Sequence, residues 1–199
     1  MPAKLTLHDI ADLREYERER DAFRRRIIAL KAIRRVDLGP IISLTFENRE
    51  TILFQIQEMA RAEKMTKDAQ IEEELAVYNP LIPGPGQLCA TLFLELTSKE
   101  QLMEWLPKLV GIETSLEVVI DSPDGDIVVP CQVEESHEEQ LTRPDVTASV
   151  HYIRFNLPDE AAAAMRRAKR VEILSTHHRY PYGTELSLDA IASLVADWD

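Results

Sequence analysis

Every second residue from Leu88 to Leu96 is apolar: Leu88, Ala90, Leu92, Leu94 and Leu96. Side chains alternate between faces along an extended chain but not along a helix, so this run predicts a half-buried strand. Two further runs, Leu116 to Ile120 and Ile127 to Val133, flank Ser122-Pro123-Asp124-Gly125. The proline and glycine there favour a tight turn, and the two runs read as a hairpin. Ile41 to Phe46, Thr147 to Phe155 and Val171 to Ser175 add more strands. The helical segments between them do not alternate regularly with the strands. The expected class is therefore α+β, a mostly antiparallel or mixed sheet packed by several helices, rather than a doubly wound sheet.

A long charged helix is expected at the N-terminus, capped by Thr6 and running toward Arg35, with Asp9 in its first turn. Phe23, Ile27, Leu30 and Ile33 or Arg34 would form its apolar stripe, and Gly39-Pro40 would stop it. Asn48 caps a second helix with Ile52, Ile56 and Met59 buried, and Thr66 caps a third that ends at Asn79-Pro80. Residues 80–86, with three prolines and two glycines, read as an irregular loop. Ser98 and Gln101 form a capping box for a helix through Leu102, Trp105 and Leu109, which Pro107 should kink or split. Pro158-Asp159 opens a helix that finishes among Arg166, Arg167, Lys169 and Arg170. Ser187 caps a terminal helix carrying Ile191, Leu194 and Trp198. The 199 residues suit one domain, with a helical subdomain over 1–80 and a strand-rich part over 86–199.

A formal net charge of −12 argues against nucleic acid as a partner, because phosphate contacts need a basic surface. The charge is uneven: residues 1–35 carry ten Lys or Arg against six Asp or Glu, a net of +4, which leaves −16 on the rest. A basic leading helix on an acidic body suits an acidic protein partner or a second copy in a homo-oligomer. No apolar run approaches the ~18 residues of a membrane span, and no export signal opens the chain. The expectation is a cytoplasmic protein without a membrane partner, its two cysteines, Cys89 and Cys131, reduced and structural. CxxC, Walker A, GxGxxG, HExxH and GxSxG motifs do not occur. The prolines of Pro83-Gly84-Pro85-Gly86 remove the N–H groups that a phosphate cradle would require.

Two segments could carry chemistry. Thr51, Gln55 and Glu58 follow one another at spacings of four and three, which places them on one helix face, with Gln57 and Arg61 in a neighbouring row. The second segment is His177-His178-Arg179-Tyr180-Pro181-Tyr182, whose adjacent histidines would point to opposite faces if extended. No cofactor is specified by motif, but Glu58 with His177 or His178 could ligate a divalent metal. Glu47, Asn48, Arg49, Thr51, Gln55, Gln57, Tyr180 and Tyr182 are the candidate contacts to a ligand or partner. His151 on its strand, the acidic run Glu134 to Glu139, and the ridge Arg20, Arg24, Lys31 and Arg35 read first as structural or solvated features.

Glu47-Asn48-Arg49-Glu50-Thr51, Gln55-Ile56-Gln57-Glu58-Met59 and Tyr78-Asn79-Pro80-Leu81-Ile82-Pro83-Gly84 resemble, across nearly the whole chain, the bacterial domain-of-unknown-function family DUF3501. Where that family has a late His-Pro-x-Tyr-like stretch, this chain reads His178-Arg179-Tyr180-Pro181-Tyr182. Genes of the family neighbour rubrerythrin and cysteine-rich iron–sulfur proteins, so the resemblance implies a protein partner of that kind and a place near peroxide, oxygen or electron-transfer chemistry. It supplies no catalytic residue. Two expectations follow: an accessory, partner-binding protein of a redox or iron system, or a small metal-binding protein or enzyme that joins the Glu/Gln helix face to the histidine segment.

Overall fold

In a computed structural model describing residues 4–133 and 145–199, eight strands form one fully antiparallel sheet. They are β1 (Arg35–Leu38), β2 (Ile42–Glu47), β3 (Gln87–Leu94), β4 (Leu116–Ile120), β5 (Ile127–Val133), β6 (Val150–Asn156), β7 (Val171–Ser175) and β8 (Gly183–Glu185). Their order across the sheet is β1-β2-β3-β6-β5-β4-β7-β8, and the sheet curls until β1 lies beside β8, so the fold is nearly a barrel. Six α-helices accompany it among the described residues: α1 (Leu13–Arg34), α2 (Arg49–Ala62), α3 (Asp68–Tyr78), α4 (Lys99–Trp105), α5 (Asp159–Met165) and α6 (Leu188–Ala196). The α+β class and the antiparallel sheet are as the sequence implies.

One phenol bridges the seam of the barrel. The Tyr180 hydroxyl accepts from the backbone N–H of Ile41 and Ile42 at 3.0 and 3.2 Å and donates to the Leu38 carbonyl at 2.7 Å. Gly39 occupies the β1–β2 turn at φ +66°, and a Cβ there would stand 2.6 Å from Tyr182 Cγ and 2.7 Å from the Tyr180 oxygen. Glycine therefore answers both the left-handed backbone and the lack of room.

Alternate strand residues point into the barrel. Leu38, Ile42, Leu44, Phe46, Leu88, Leu92, Leu116, Val118, Ile153, Phe155, Val171 and Ile173 belong to its apolar core, which α5, α6 and Trp198 also join. The outward residues of β2 and β3 are covered too. All six residues of β2 are buried, and Cys89 and Thr91 are buried between the inward positions of β3. The expectation of a half-buried β3 is thus corrected, because helices cover the second face. Under α2 and α3 a smaller cluster of Leu5, Ile52, Ile56, Leu75, Leu81 and Ile82 packs with Tyr78 and Tyr152.

Local expectations fail mainly at helix ends. Thr6 caps only a single 3-10 turn, Leu7–Asp9, and Asp12 caps α1 by accepting from the N–H of Arg14 and Glu15. Helix α1 stops at Arg34 because β1 begins there, so Gly39 serves the hairpin and not the helix end. In the apolar stripe Ile27 and Arg34 are buried, whereas Ile33 is exposed. Lys67, without a side-chain bond, precedes α3 in place of Thr66. Leu109 lies beyond α4, and α5 ends before its cationic tail. The acidic run 134–139 lies outside the described residues. No helix among the described residues is long and apolar enough to cross a membrane.

Candidate functional site

The junction of β2 and α2 spells Glu47-Asn48-Arg49, and its three side chains go to three different places. Asn48 starts α2: its Oδ1 accepts from the Thr51 N–H at 3.0 Å, while Thr51 Oγ1 accepts from the Asn48 N–H at 2.9 Å. That reciprocal pair satisfies donors a helix N-terminus otherwise leaves open. Arg49 pairs with Asp9, whose carboxyl is held below its ordinary value first by the Thr6 N–H and then by Arg49. Only Glu47 turns to the outer face of the sheet, beneath the helices.

Arg34 fixes this junction from below. Its guanidinium, 1% exposed, donates to the carbonyls of Phe46 at 2.8 Å and Glu47 at 3.1 Å, to Ser193, and to Asp197. Asp197 in turn accepts from Asn48 Nδ2 at 3.1 Å. Burial nonetheless pushes the Asp197 carboxyl above its usual value, against the opposing pull of Arg34. One buried cation thus locks the end of β2 to α1 and α6.

Beside this lock lies a cavity of about 220 Å³ lined by Lys31, Glu47, Ile52, Gln55, Tyr78, Leu81, Thr91, Phe93, Val150 and Tyr152. Glu47 is 6% exposed. Its Oε1 accepts from the Thr91 hydroxyl at 2.7 Å, but its Oε2 has no hydrogen-bond partner among the described residues. Lys31 Nζ stands 3.9 Å from that oxygen, close enough for charge and too far for a hydrogen bond. A buried carboxylate oxygen without a donor is costly, and in native proteins such a group calls for a specific explanation. The Tyr152 phenol opposite is pushed up to about 12 by burial and then by its neighbours Tyr78 and Glu47. It therefore remains a protonated hydroxyl at neutral pH. The apolar wall is Ile52, Leu81, Phe93 and Val150.

Among the residues singled out in the sequence, Glu47 and Gln55 meet in this cavity, joined by Lys31 from the basic ridge. The others have separate employment. Thr51 closes the α2 cap. Gln57 is buried and clamps the backbone of Ala11, accepting from its N–H at 2.7 Å and donating to its carbonyl at 3.2 Å. Glu58 takes Arg20 through both oxygens at 2.8 Å and the Tyr16 hydroxyl at 2.8 Å, and the Arg20 bond above all holds its carboxyl below the ordinary range.

The histidine segment is a turn and not an extended strand, so the two rings do not diverge. They lie 4.9 Å apart, with His177 buried and His178 exposed. His177 Nε2 lies 3.2 Å from the Val110 carbonyl, while Nδ1 accepts from the Arg179 N–H at 3.3 Å. Tyr180 closes the barrel and Tyr182 packs on its ring. The structure therefore gives Glu58 and the histidines separate partners, and among the described residues no group of three or more His, Cys, Asp or Glu is placed to hold a metal. His151 lies on the inner face, its Nε2 2.8 Å from Thr147 Oγ1 and 3.0 Å from the Ala148 carbonyl.

Thr91, Tyr78 and Tyr152 were missed as site residues. For Thr91 and Tyr152 the signal was parity: Thr91 sits between the apolar positions of β3 and pairs across the sheet with Tyr152, which places both on the face opposite the barrel core.

A family model described as a protein of unknown function, DUF3501, matches residues 4–198. The chain belongs to the DUF3501 family. Its fold is shared by a protein of unknown function from Burkholderia pseudomallei, known from a crystal structure, at 33% identity and a TM-score of 0.89 over 99% of this chain and 100% of that one. No curated protein matches. The Glu47-Asn48-Arg49 stretch of this chain thus combines one cavity residue with two that build the helix start and its anchor.

Proposed function

We propose that this protein binds a small polar molecule in the Glu47 cavity and acts as an accessory protein rather than as a redox centre in its own right. The observation that carries the reading is the free Oε2 of Glu47, an acceptor buried at the wall of a cavity that supplies it no hydrogen bond. A bound molecule with a donor at that point would satisfy it. At about 220 Å³ the space is below the roughly 300–1,000 Å³ usual for drug-sized ligands, so the occupant is a metabolite-sized group.

The cysteines favour a non-redox role for the chain itself. Both are buried, and burial pushes the Cys131 thiol up to about 11, away from the reactive thiolate. Electron-transfer chemistry in the surrounding system would then come from partners, and rubrerythrin or an iron–sulfur protein is the kind of partner the family resemblance implies. The basic leading helix against an acidic body supports docking of an acidic partner or of a second copy.

Thermal-shift measurements with a panel of small amines, amides, carboxylates and divalent cations test the binding reading. At least one compound is expected to raise the melting temperature of the wild type and not that of the near-isosteric Glu47→Gln. A panel that leaves both proteins unmoved, or moves them equally, overturns the assignment to this cavity.

A further inference from the structure

Resting on that cavity as a binding site, we infer that its ligand is a small primary amine, bound as the ammonium with a short aliphatic tail. A carboxylate oxygen can only accept, so the group that meets Glu47 Oε2 must donate. The protein already shows which cation the place tolerates. Lys31 brings its own ammonium to 3.9 Å from that oxygen, and it makes no hydrogen bond there. The side chain of Lys31 is 34% exposed and sits on a flexible four-carbon stem, so it can swing out toward solvent. Lys31 is thus a loosely held occupant of a position that an amine from outside can take with better geometry.

The rest of the cavity matches the same class. An ammonium carries three N–H donors, and besides Oε2 the wall offers oxygens from Gln55, Tyr78 and Tyr152. A phenol held protonated up to about 12 keeps a lone pair for such a donor without adding a second charge. Ile52, Leu81, Phe93 and Val150 give the aliphatic tail an apolar wall. A carboxylate ligand would instead lie against a buried carboxylate, and Lys31 offers one cation against two anions. A neutral amide could donate, but it would leave the charge of Glu47 less well compensated once Lys31 has moved.

The amine therefore competes with Lys31 for the same oxygen, and that competition supplies the test. Binding of n-butylammonium, butyramide and butyrate is measured by calorimetry on the wild type, Lys31→Met and Glu47→Gln, with circular dichroism to confirm folding. Butylammonium is expected to bind the wild type, to bind Lys31→Met about tenfold more tightly because the internal cation is gone, and to lose at least about tenfold with Glu47→Gln. Butyrate and butyramide are expected to bind more weakly than the amine to the wild type and to Lys31→Met. Tighter binding of butyrate or butyramide than of the amine by either of those two proteins, or weaker amine binding by Lys31→Met than by the wild type, overturns the amine inference while leaving the cavity as a binding site. Failure of all three probes on every folded protein overturns the amine inference, and the wider panel above then decides the fate of the cavity on its own.

Discussion

The strands β2, β3 and β6 present two faces built from the same pleat, and the contents of those faces differ sharply. Inward, Ile42, Leu44, Phe46, Leu88, Ala90, Leu92, Leu94, Ile153 and Phe155 are apolar, and only His151 interrupts them. Outward lie Ser43, Thr45, Glu47, Cys89, Thr91, Tyr152 and Arg154, together with the apolar Phe93 and Val150, buried or half-buried beneath helices. The inner face is closed by apolar contact apart from His151, whose ring meets Thr147 and Ala148. The outer face has hydroxyls, a guanidinium and a carboxylate to satisfy, and it leaves one oxygen unsatisfied. On the proposed reading, stability resides mainly on the first face and binding on the second, although the two are separated by the thickness of a single sheet.

Substitutions on either side of β2 test that division. Phe46→Ala empties a fully buried inner position and should cost about 3–5 kcal/mol in denaturant unfolding, the usual range for a core Phe truncation. A cost below ~1 kcal/mol would mean that the inner face is not the stabilising one. Next in size is a pH effect at the helix layer. The carboxyl of Glu58 is depressed in the folded protein, principally by Arg20, so its ionised form favours folding. That contribution is complete above the ordinary value of 4.5 and is lost as pH falls from there through the lower folded value. Glu58→Gln should therefore flatten the acid limb of a stability–pH curve, and an unchanged limb would remove Glu58 from the account. Smallest is Glu47→Gln, one residue along from Phe46. Neutralising a buried and incompletely bonded carboxylate should move stability by no more than about 1 kcal/mol in either direction while ligand binding collapses. A loss as large as that of Phe46→Ala would make Glu47 a structural residue.

How much of this the sequence disclosed follows the same division. Period-two runs and turn residues were enough for the sheet: the β4–β5 hairpin falls where Ser122 to Gly125 predicts it, and Asn48 and Ser98 cap the helices they precede. The short strands β1 and β8 escaped notice, since four and three residues carry too little alternation to be seen. For the site, Glu47 and Gln55 were visible as polar residues at a strand end and on a helix face, and Lys31 as part of a ridge. Their convergence with Thr91 and Tyr152 was not visible, because it depends on which helix roofs which strand, and that is set by long-range packing. Helical spacing put Thr51, Gln55 and Glu58 on one face, yet long side chains and neighbouring elements sent them to a cap, a cavity and an ion pair. Arg34 was placed among apolar stripe positions and is indeed buried, but as the centre of a polar lock that periodicity alone could not describe.

The seam of the barrel has a consequence for descent as well as for folding. Tyr180 takes its three backbone partners only because residue 39 has no side chain in the way. Any side chain at 39 displaces both the phenol and the neighbouring Tyr182 ring, so room for one appears only if 180 and 182 are both reduced. The three positions, with 39 remote in the chain from the other two, form one heritable unit, and a lineage that changes residue 39 is expected to have changed the tyrosines as well or to have found another way to close the barrel.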